Sequence, residues 1–401
     1  MKKHLLVVSQ YFYPESFRIN DLCTEWVKRG YNVTVITGIP NYPEGKFYRG
    51  YGINKKRHEY WNGIEIIRIP LIPRGKKSLQ LLLNYMSFVV SGIFFVVCSK
   101  IKADYVFTFE VSPLTQALIG VWYAKKQKIP HYLYVQDLWP ENIEIVAGIH
   151  NSIILNAIQK MADYIYENST HIFGTSPSFV KRIQDRVQAK NKVHYLPQYA
   201  EDFYQPVESK YEYIRKIEAT KIVFTGNIGY AQGLEILPKA EAILKNENCN
   251  IQFYIVGDGR YKDTLINEIS EYNVADMFVL IDRQPAEQIP HFLAACDIAY
   301  LSFMKNELFS MTIPAKLQSY MACEKPIIAA ASGETARIIS DAKCGIVVPE
   351  GDSLALANAI MEFINLPIKC VEEYGKNARK YYLKYFDKKK LLDNIDDYFN
   401  I

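Results

Sequence analysis

Lys316 is electrostatically out of place. The run Thr312-Ile-Pro-Ala-Lys-Leu-Gln-Ser-Tyr-Met-Ala (312–322) predicts a helix: Thr312 caps it, Pro314 suits its first turn, and Leu317, Tyr320 and Met321 keep helical spacing. A first turn favours an acid, not a lysine. A cation there makes sense when an anion lies between it and the backbone N–H groups. A second such turn stands upstream, Thr225-Gly-Asn-Ile-Gly-Tyr-Ala-Gln-Gly-Leu (225–234). Gly226 and Gly229 let the loop pass close to a ligand, and Gly233 is expected to open a helix carrying Leu234, Leu237 and Ala240. Together the two turns predict a grip on one nucleotide diphosphate.

Other candidates are softer. Val256-Gly-Asp-Gly-Arg260 reads as an ordinary turn. Arg283, straight after a strand, either neutralises phosphate or faces solvent. In the first half, Ser9-Gln-Tyr-Phe-Tyr-Pro-Glu-Ser-Phe-Arg18 leaves the first strand without a G-x-G-x-x-G, which disfavours a nicotinamide site. Glu15 and Arg18 are placed there to overlook a cleft. In Gln136-Asp-Leu-Trp-Pro-Glu141, Asp137 either orients and deprotonates a hydroxyl or caps the next helix, and Trp139 is expected to stack on a sugar ring. The seven histidines show no metal spacing, and no Asp-x-Asp pair or Ser-His-Asp set is apparent. A metal site is therefore not expected.

Strands and helices must bring these residues together. Short apolar runs predict parallel strands at 5–9, 32–37, 64–69, 104–109, 131–135 and 171–174, with helices at 19–29, 78–100, 115–127 and 153–167. The second half repeats the alternation, with strands at 221–225, 251–256, 277–281, 298–302, 327–331 and 346–348. The expected class is α/β: two tandem Rossmann-like, doubly wound domains facing each other across a cleft. The expected divisions are 1–196, a linker at 197–219, a second domain at 220–385, and a last helix at 386–401 that either caps the second domain or crosses back.

A chain of 401 residues, 49% apolar, suits two globular domains. Its seven scattered cysteines read as reduced core thiols, and no secretory signal is expected. The net charge of +4 hides a contrast: +11 over residues 1–200 and −7 over 201–401. Basic charge in the first half favours an anionic surface or ligand. Residues 78–99 pass without a charge, between Arg74, Lys76 and Lys77 on one side and Lys100 and Lys102 on the other. That length allows a membrane span. Yet Gln80, Asn84, Ser87 and Ser91 draw a polar stripe along one face. The stripe favours either a helix lying in the membrane interface or a buried one. The nearby Lys46, Arg49, Lys55, Lys56 and Arg57 point to anionic lipid.

These motifs, spread over the whole chain, resemble a family. Tyr-Phe-Tyr-Pro-Glu-Ser-Phe-Arg-Ile-Asn-Asp (11–21), Gly-Ile-Pro-Asn-Tyr-Pro-Glu-Gly (38–45), Asp-Leu-Trp-Pro-Glu (137–141), the 225–234 loop and 313–322 resemble family 4 retaining glycosyltransferases of the GT-B fold. The subgroup most resembled includes the L-fucosamine transferases of O-antigen and capsule synthesis. The resemblance implies a UDP-sugar donor in the second domain, no cofactor, and a polyprenyl-diphosphate-linked saccharide acceptor on the first. It places a peripheral protein at the inner face of the plasma membrane and implies no nucleic-acid partner. Carried over, Asn227, Gly229, Gln232 and Gly233 meet the donor diphosphate and Lys316 a phosphate or ribose, while Glu15, Arg18, Asp137, Trp139 and Glu141 line the acceptor side. Departures are visible: Met311 and Ser319 stand where many members have paired glutamates, Gln136 replaces a frequent His, and Glu324 a usual Gly. Two rival readings remain, a UDP-sugar 2-epimerase on the same scaffold and a non-catalytic nucleotide- or membrane-binding subunit.

Overall fold

The computed structural model describes residues 2–75 and 78–399, so Lys76 and Lys77 lie outside the described residues. The chain divides into two compact units, Met1–Leu196 and Pro197–Ile401. Each is an α/β unit of Rossmann-like type around a parallel sheet.

In chain order the first unit runs β1 (His4–Val8), α1 (Arg18–Lys28), β2 (Asn32–Thr37), β3 (His58–Trp61), β4 (Ile64–Arg68), α2 (Ser78–Cys98) and β5 (Tyr105–Glu110). It continues with α3 (Ala117–Gln127), β6 (His131–Val135), α4 (Glu141–Ala147), α5 (Ser152–Glu167), β7 (His171–Gly174), α6 (Pro177–Gln184) and β8 (Val193–Tyr195). The sheet order is β3-β4-β2-β1-β5-β6-β7-β8. Only β3 is antiparallel, pairing His58 with Ile67 at the edge. The central strands are buried on both faces, which is why their sequences read as unbroken apolar runs.

Helix α2 turns one face inward. Asn84, Tyr85, Phe88, Val89 and Val96 are buried, with Phe88 packing into a cluster that holds Leu6, Ile36, Val106 and Ile119. Burying a side chain such as Phe88 contributes roughly 2–3 kcal/mol. A Cβ on Gly92 would strike Ile119, so glycine lets α2 approach α3 closely. The opposite face is apolar and open: Leu79, Leu82, Leu83, Met86, Val90, Ile93, Phe94 and Val97 are all exposed, Phe94 by 67%. Two residues of the polar stripe read in the sequence, Asn84 and Ser87, bond inward, while Gln80 is exposed. Asn84 donates to the Ile72 carbonyl (2.6 Å) and accepts from Gln10 Nε2 (2.8 Å), while Ser87 Oγ accepts from Ile72 N–H (2.8 Å). The helix is therefore not packed on all sides, although Leu79–Cys98 is long and apolar enough to cross a bilayer.

The second unit begins with α7 (Glu212–Arg215), inside the segment expected to be a linker. Tyr211 stacks on Phe292 at 4.1 Å and Ile214 is buried, so residues 209–215 pack onto this unit. There follow β9 (Thr220–Asn227), α8 (Ile236–Asn246), β10 (Ile251–Asp258), α9 (Lys262–Glu271), β11 (Phe278–Ile281), α10 (Ile289–Ala295) and β12 (Ile298–Ser302). The remainder is α11 (Glu307–Ser310), α12 (Ala315–Ala322), β13 (Ile327–Ala330), α13 (Gly333–Ala342), β14 (Gly345–Val348), α14 (Ser353–Ile364), α15 (Ile368–Tyr385) and α16 (Lys388–Phe399). The parallel order β11-β10-β9-β12-β13-β14 reverses between β9 and β12. Its core joins Ile222, Phe224, Phe253, Ile255, Tyr300 and Ile328 to Leu237, Leu244, Leu356 and Ile360 from the helices. Helix α16 clusters with this unit, where Lys388 pairs with Asp202 at 2.8 Å. All seven cysteines are free thiols.

Candidate active site

Ligands of open α/β sheets bind outside the carboxyl ends of strands, where the strand order reverses. In the second unit that point lies between β9 and β12, and Lys316 and the 225–229 loop meet there. Lys316 occupies the first turn of α12, and its Nζ lies 3.8 Å from the centre of the Phe224 ring. A Cβ on Gly226, which has φ +124°, would lie 3.6 Å from that Nζ. The ammonium group is buried and makes no hydrogen bond, and burial pushes its pKa down to about 7. A buried amine without a partner is costly unless a ligand completes it. Tyr320, one turn on, anchors the same helix by accepting from Thr225 N–H at 2.9 Å.

Strand β9 runs further than expected, through Gly226 and Asn227, pairing with Gly257 and Asp258 of β10. The Gly-Asp-Gly turn thus packs against residues 226–228. A Cβ on Gly257 would collide with the Gly226 carbonyl, and one on Gly259 with the Ile228 carbonyl. Ile228 N–H donates to the Asp258 carbonyl (2.9 Å). Asn227 is exposed beside this joint.

Three donor-side expectations need correction. Gly233 does not open the helix: it ends a 3-10 turn, Tyr230–Gln232, at φ +57°, and α8 starts at Ile236. A Cβ there would come within 2.8 Å of the Phe303 carbonyl, so glycine is needed where the β9 and β12 loops meet. The Gly229 N–H is engaged, donating to Gln232 Oε1 at 3.1 Å. Thr312 does not cap α12. Pro314 holds the cap position, and the Thr312 hydroxyl donates to the Leu308 carbonyl (2.8 Å) because a short helix, α11, ends just before it. Arg283 is exposed beyond the edge strand β11, two strands from β9, so the topology does not bring it to the reversal point.

In the first unit Asp137 follows β6 and accepts from Ser112 N–H and Ser112 Oγ, both at 2.7 Å. It does not cap α4, whose cap position is Pro140. Burial raises its pKa, opposed by the two Ser112 bonds. Beside it at the end of β5 stands Glu110, fully buried, its carboxylate oxygens facing the Asp137 and Gln136 N–H groups without a hydrogen bond of normal geometry. Burial first, and then the Asp137 charge, raise the Glu110 pKa well above the usual carboxylate range, opposed by those two N–H groups.

Glu15 is not a free acid. Its Oε1 accepts from Asn41 N–H (2.7 Å) and Tyr42 N–H (2.6 Å), so it clasps the loop after β2, and burial raises its pKa to about 7. Trp139 cannot stack on a sugar as expected. It is 3% exposed, its Nε1 donates to Ser112 Oγ (3.3 Å) and its carbonyl accepts from Arg186 (2.7 Å). Glu141 opens α4 and pairs with Arg182 at 2.8 Å, and Arg18 opens α1 with its charge acting on Tyr134.

Known proteins can be set beside this geometry. Residues 210–381 match the family described as "Glycosyl transferases group 1". A probable glycosyltransferase of Pseudomonas aeruginosa, WbjE, is 27% identical over 59% of this chain and 60% of its own length. A putative colanic acid biosynthesis glycosyl transferase of Escherichia coli, WcaI, is 24% identical over 92% of both. Among solved structures, sucrose-phosphate synthase from Thermosynechococcus elongatus superposes with a TM-score of 0.79 at 17% identity, covering 100% of this chain and 98% of that one. WaaG, a glycosyltransferase involved in lipopolysaccharide biosynthesis, gives 0.70 at 15%, with 99% of each chain covered. Anabaena HepE in complex with UDP and glucose gives 0.72 at 15%, again with 99% of each covered. These structural likenesses establish the fold, that of GT-B glycosyltransferases. The family match over the second half and the sequence relatives make this chain similar to group 1 glycosyltransferases.

Proposed function

We propose that this chain is a metal-independent retaining glycosyltransferase, hexosyl- or N-acetylhexosaminyl-transferring. It moves an N-acetylated amino or deoxy sugar from a UDP donor to a polyprenyl-diphosphate-linked saccharide in capsule or O-antigen synthesis. The observation that carries this reading is the buried, unpartnered Lys316 ammonium beside Gly226 at the strand-order reversal. A donor diphosphate supplies the missing anion, and backbone groups of the 226–233 loop meet its other oxygens. Gln232 then releases Gly229 N–H to the ligand. Asn227 and Lys316 complete the donor contacts.

On the acceptor side Asp137 orients the attacking hydroxyl, held in place by Ser112. Glu110, whose pKa burial raises, lies beside it. The departing diphosphate takes the acceptor's proton, and the new bond forms on the face it vacates. The first half's charge of +11 and the open apolar face of α2 support contact with an anionic inner membrane leaflet, where such an acceptor resides. The polar inner face of α2, tied to Gln10 and Ile72, favours a helix lying at the interface over a span.

A thermal-shift screen of UDP, other nucleoside diphosphates and their sugars, with and without chelator, tests the reading. A tight donor raises the melting temperature by mass action. No shift with any of them ends the transferase reading.

A further inference from the structure

Loops leaving β1, β2 and β4 bring together a cluster of phenols and one guanidinium in the first unit. Tyr11 stacks on Phe17 at 5.2 Å, and both rings meet Tyr42, at 5.4 and 5.3 Å. The Arg74 guanidinium lies over the Tyr42 ring at 5.2 Å, and its charge also acts on the hydroxyls of Tyr11 and Tyr85. Arg74 is half-buried, and no carboxylate pairs with it among the described residues. The buried Tyr11 hydroxyl beside it makes no hydrogen bond of normal geometry.

The cluster is held by a relay of bonds. Glu15 grips Asn41 and Tyr42 by their N–H groups, and Asn41 Oδ1 in turn accepts from Arg74 N–H at 2.7 Å. A fixed guanidinium ringed by phenols, and lacking an acid, suits an oxyanion with several acceptor atoms. The chain itself indicates what else that ligand carries. Arg74 lies four residues before α2, whose outward face is apolar from Leu79 to Val97. An anion joined to a hydrocarbon chain satisfies both surfaces.

We infer that Arg74, set over Tyr42 and backed by the buried Tyr11 and Tyr85, binds the diphosphate of the lipid-linked acceptor, and that the outward face of α2 receives its hydrocarbon. This rests on the reading of a polyprenyl-diphosphate acceptor.

Farnesyl diphosphate below its micelle concentration, titrated calorimetrically into the intact protein, tests the inference. Arg74→Met should weaken binding tenfold or more, and Arg74→Lys by less, because an ammonium cannot bind two oxygens side by side. Tyr11→Phe, which keeps the ring stack, should weaken it a few-fold. In all three the UDP-induced thermal shift should stay at the wild-type value, which shows that the fold and donor site are intact. Wild-type affinity in Arg74→Met overturns the inference. Equal affinity for inorganic pyrophosphate and farnesyl diphosphate removes α2 from the site. Loss of phosphatidylglycerol vesicle binding in Arg74→Met, with no farnesyl diphosphate binding in the wild type, makes it a headgroup site and overturns the acceptor assignment. If the wild type binds farnesyl diphosphate but no nucleotide, the transferase reading fails while the lipid diphosphate site stands.

Discussion

Replacing Lys316 by Met should make the empty protein more stable and unable to bind its donor. The folded-state pKa near 7 compares with 10.5 for an unperturbed lysine. Between those values the unfolded chain binds more protons than the folded one, so stability rises with pH across the window, by up to about 1.4 kcal/mol per pH unit. Over that interval the ceiling is on the order of 5 kcal/mol at pH 7. The Phe224 face, 3.8 Å away, returns up to about 2 kcal/mol to the charged form. About 3 kcal/mol is left, and Met keeps the packing of the lysine stem. For a unit of this size that is a rise of roughly 6–12 °C in melting temperature. Denaturant melts of both proteins from pH 6 to 10 should show a gap of about 3 kcal/mol at pH 7 that narrows to under about 1 kcal/mol by pH 10. A less stable variant, or a gap that does not change with pH, would refute the claim that the amine is desolvated and awaiting an anion.

Other outcomes follow from the same geometry. Asp137→Asn keeps the Ser112 bonds but loses the charge that orients the hydroxyl, so steady-state turnover should fall about 10²-fold with UDP affinity unchanged by calorimetry. Equal turnover would leave Asp137 a structural residue. Leu83→Glu combined with Phe94→Glu should abolish flotation with phosphatidylglycerol vesicles while the UDP shift persists; continued flotation would clear α2 of membrane contact. Glu324 has φ +58°, so Glu324→Gly should add about 1 kcal/mol, seen as a melting temperature some 2–4 °C higher. A lower melting temperature would count against that backbone conformation.

The central strands were legible because burial on both faces leaves unbroken apolar runs, as at His131–Val135 and Ile298–Ser302. Strand β3 was not: it is an edge strand, His-Glu-Tyr-Trp, with Tyr60 facing out, and it has no core to leave a pattern. The anion turn at Lys316 could be read from a charge in the wrong place on a helix. Glu110 left a comparable mark, an acid ending an otherwise apolar strand, which went unread because it also fits a strand end reaching solvent. Trp139 was misread since the sequence of a strand-end motif does not say which way its ring turns. Gly257 and Gly259 passed as a turn because their need, the close run of β10 against β9, is set by residues thirty positions away.

Asn84 has a mechanical consequence. Its amide grips Gln10, the residue before Tyr11, and the Ile72 carbonyl, two residues before Arg74. Any tilt or slide of α2 must drag both segments along or break both bonds. Pressure on the outer side of that helix is therefore transmitted to the tyrosine ring and the guanidinium, so contact at the surface and the shape of the cluster cannot be adjusted separately.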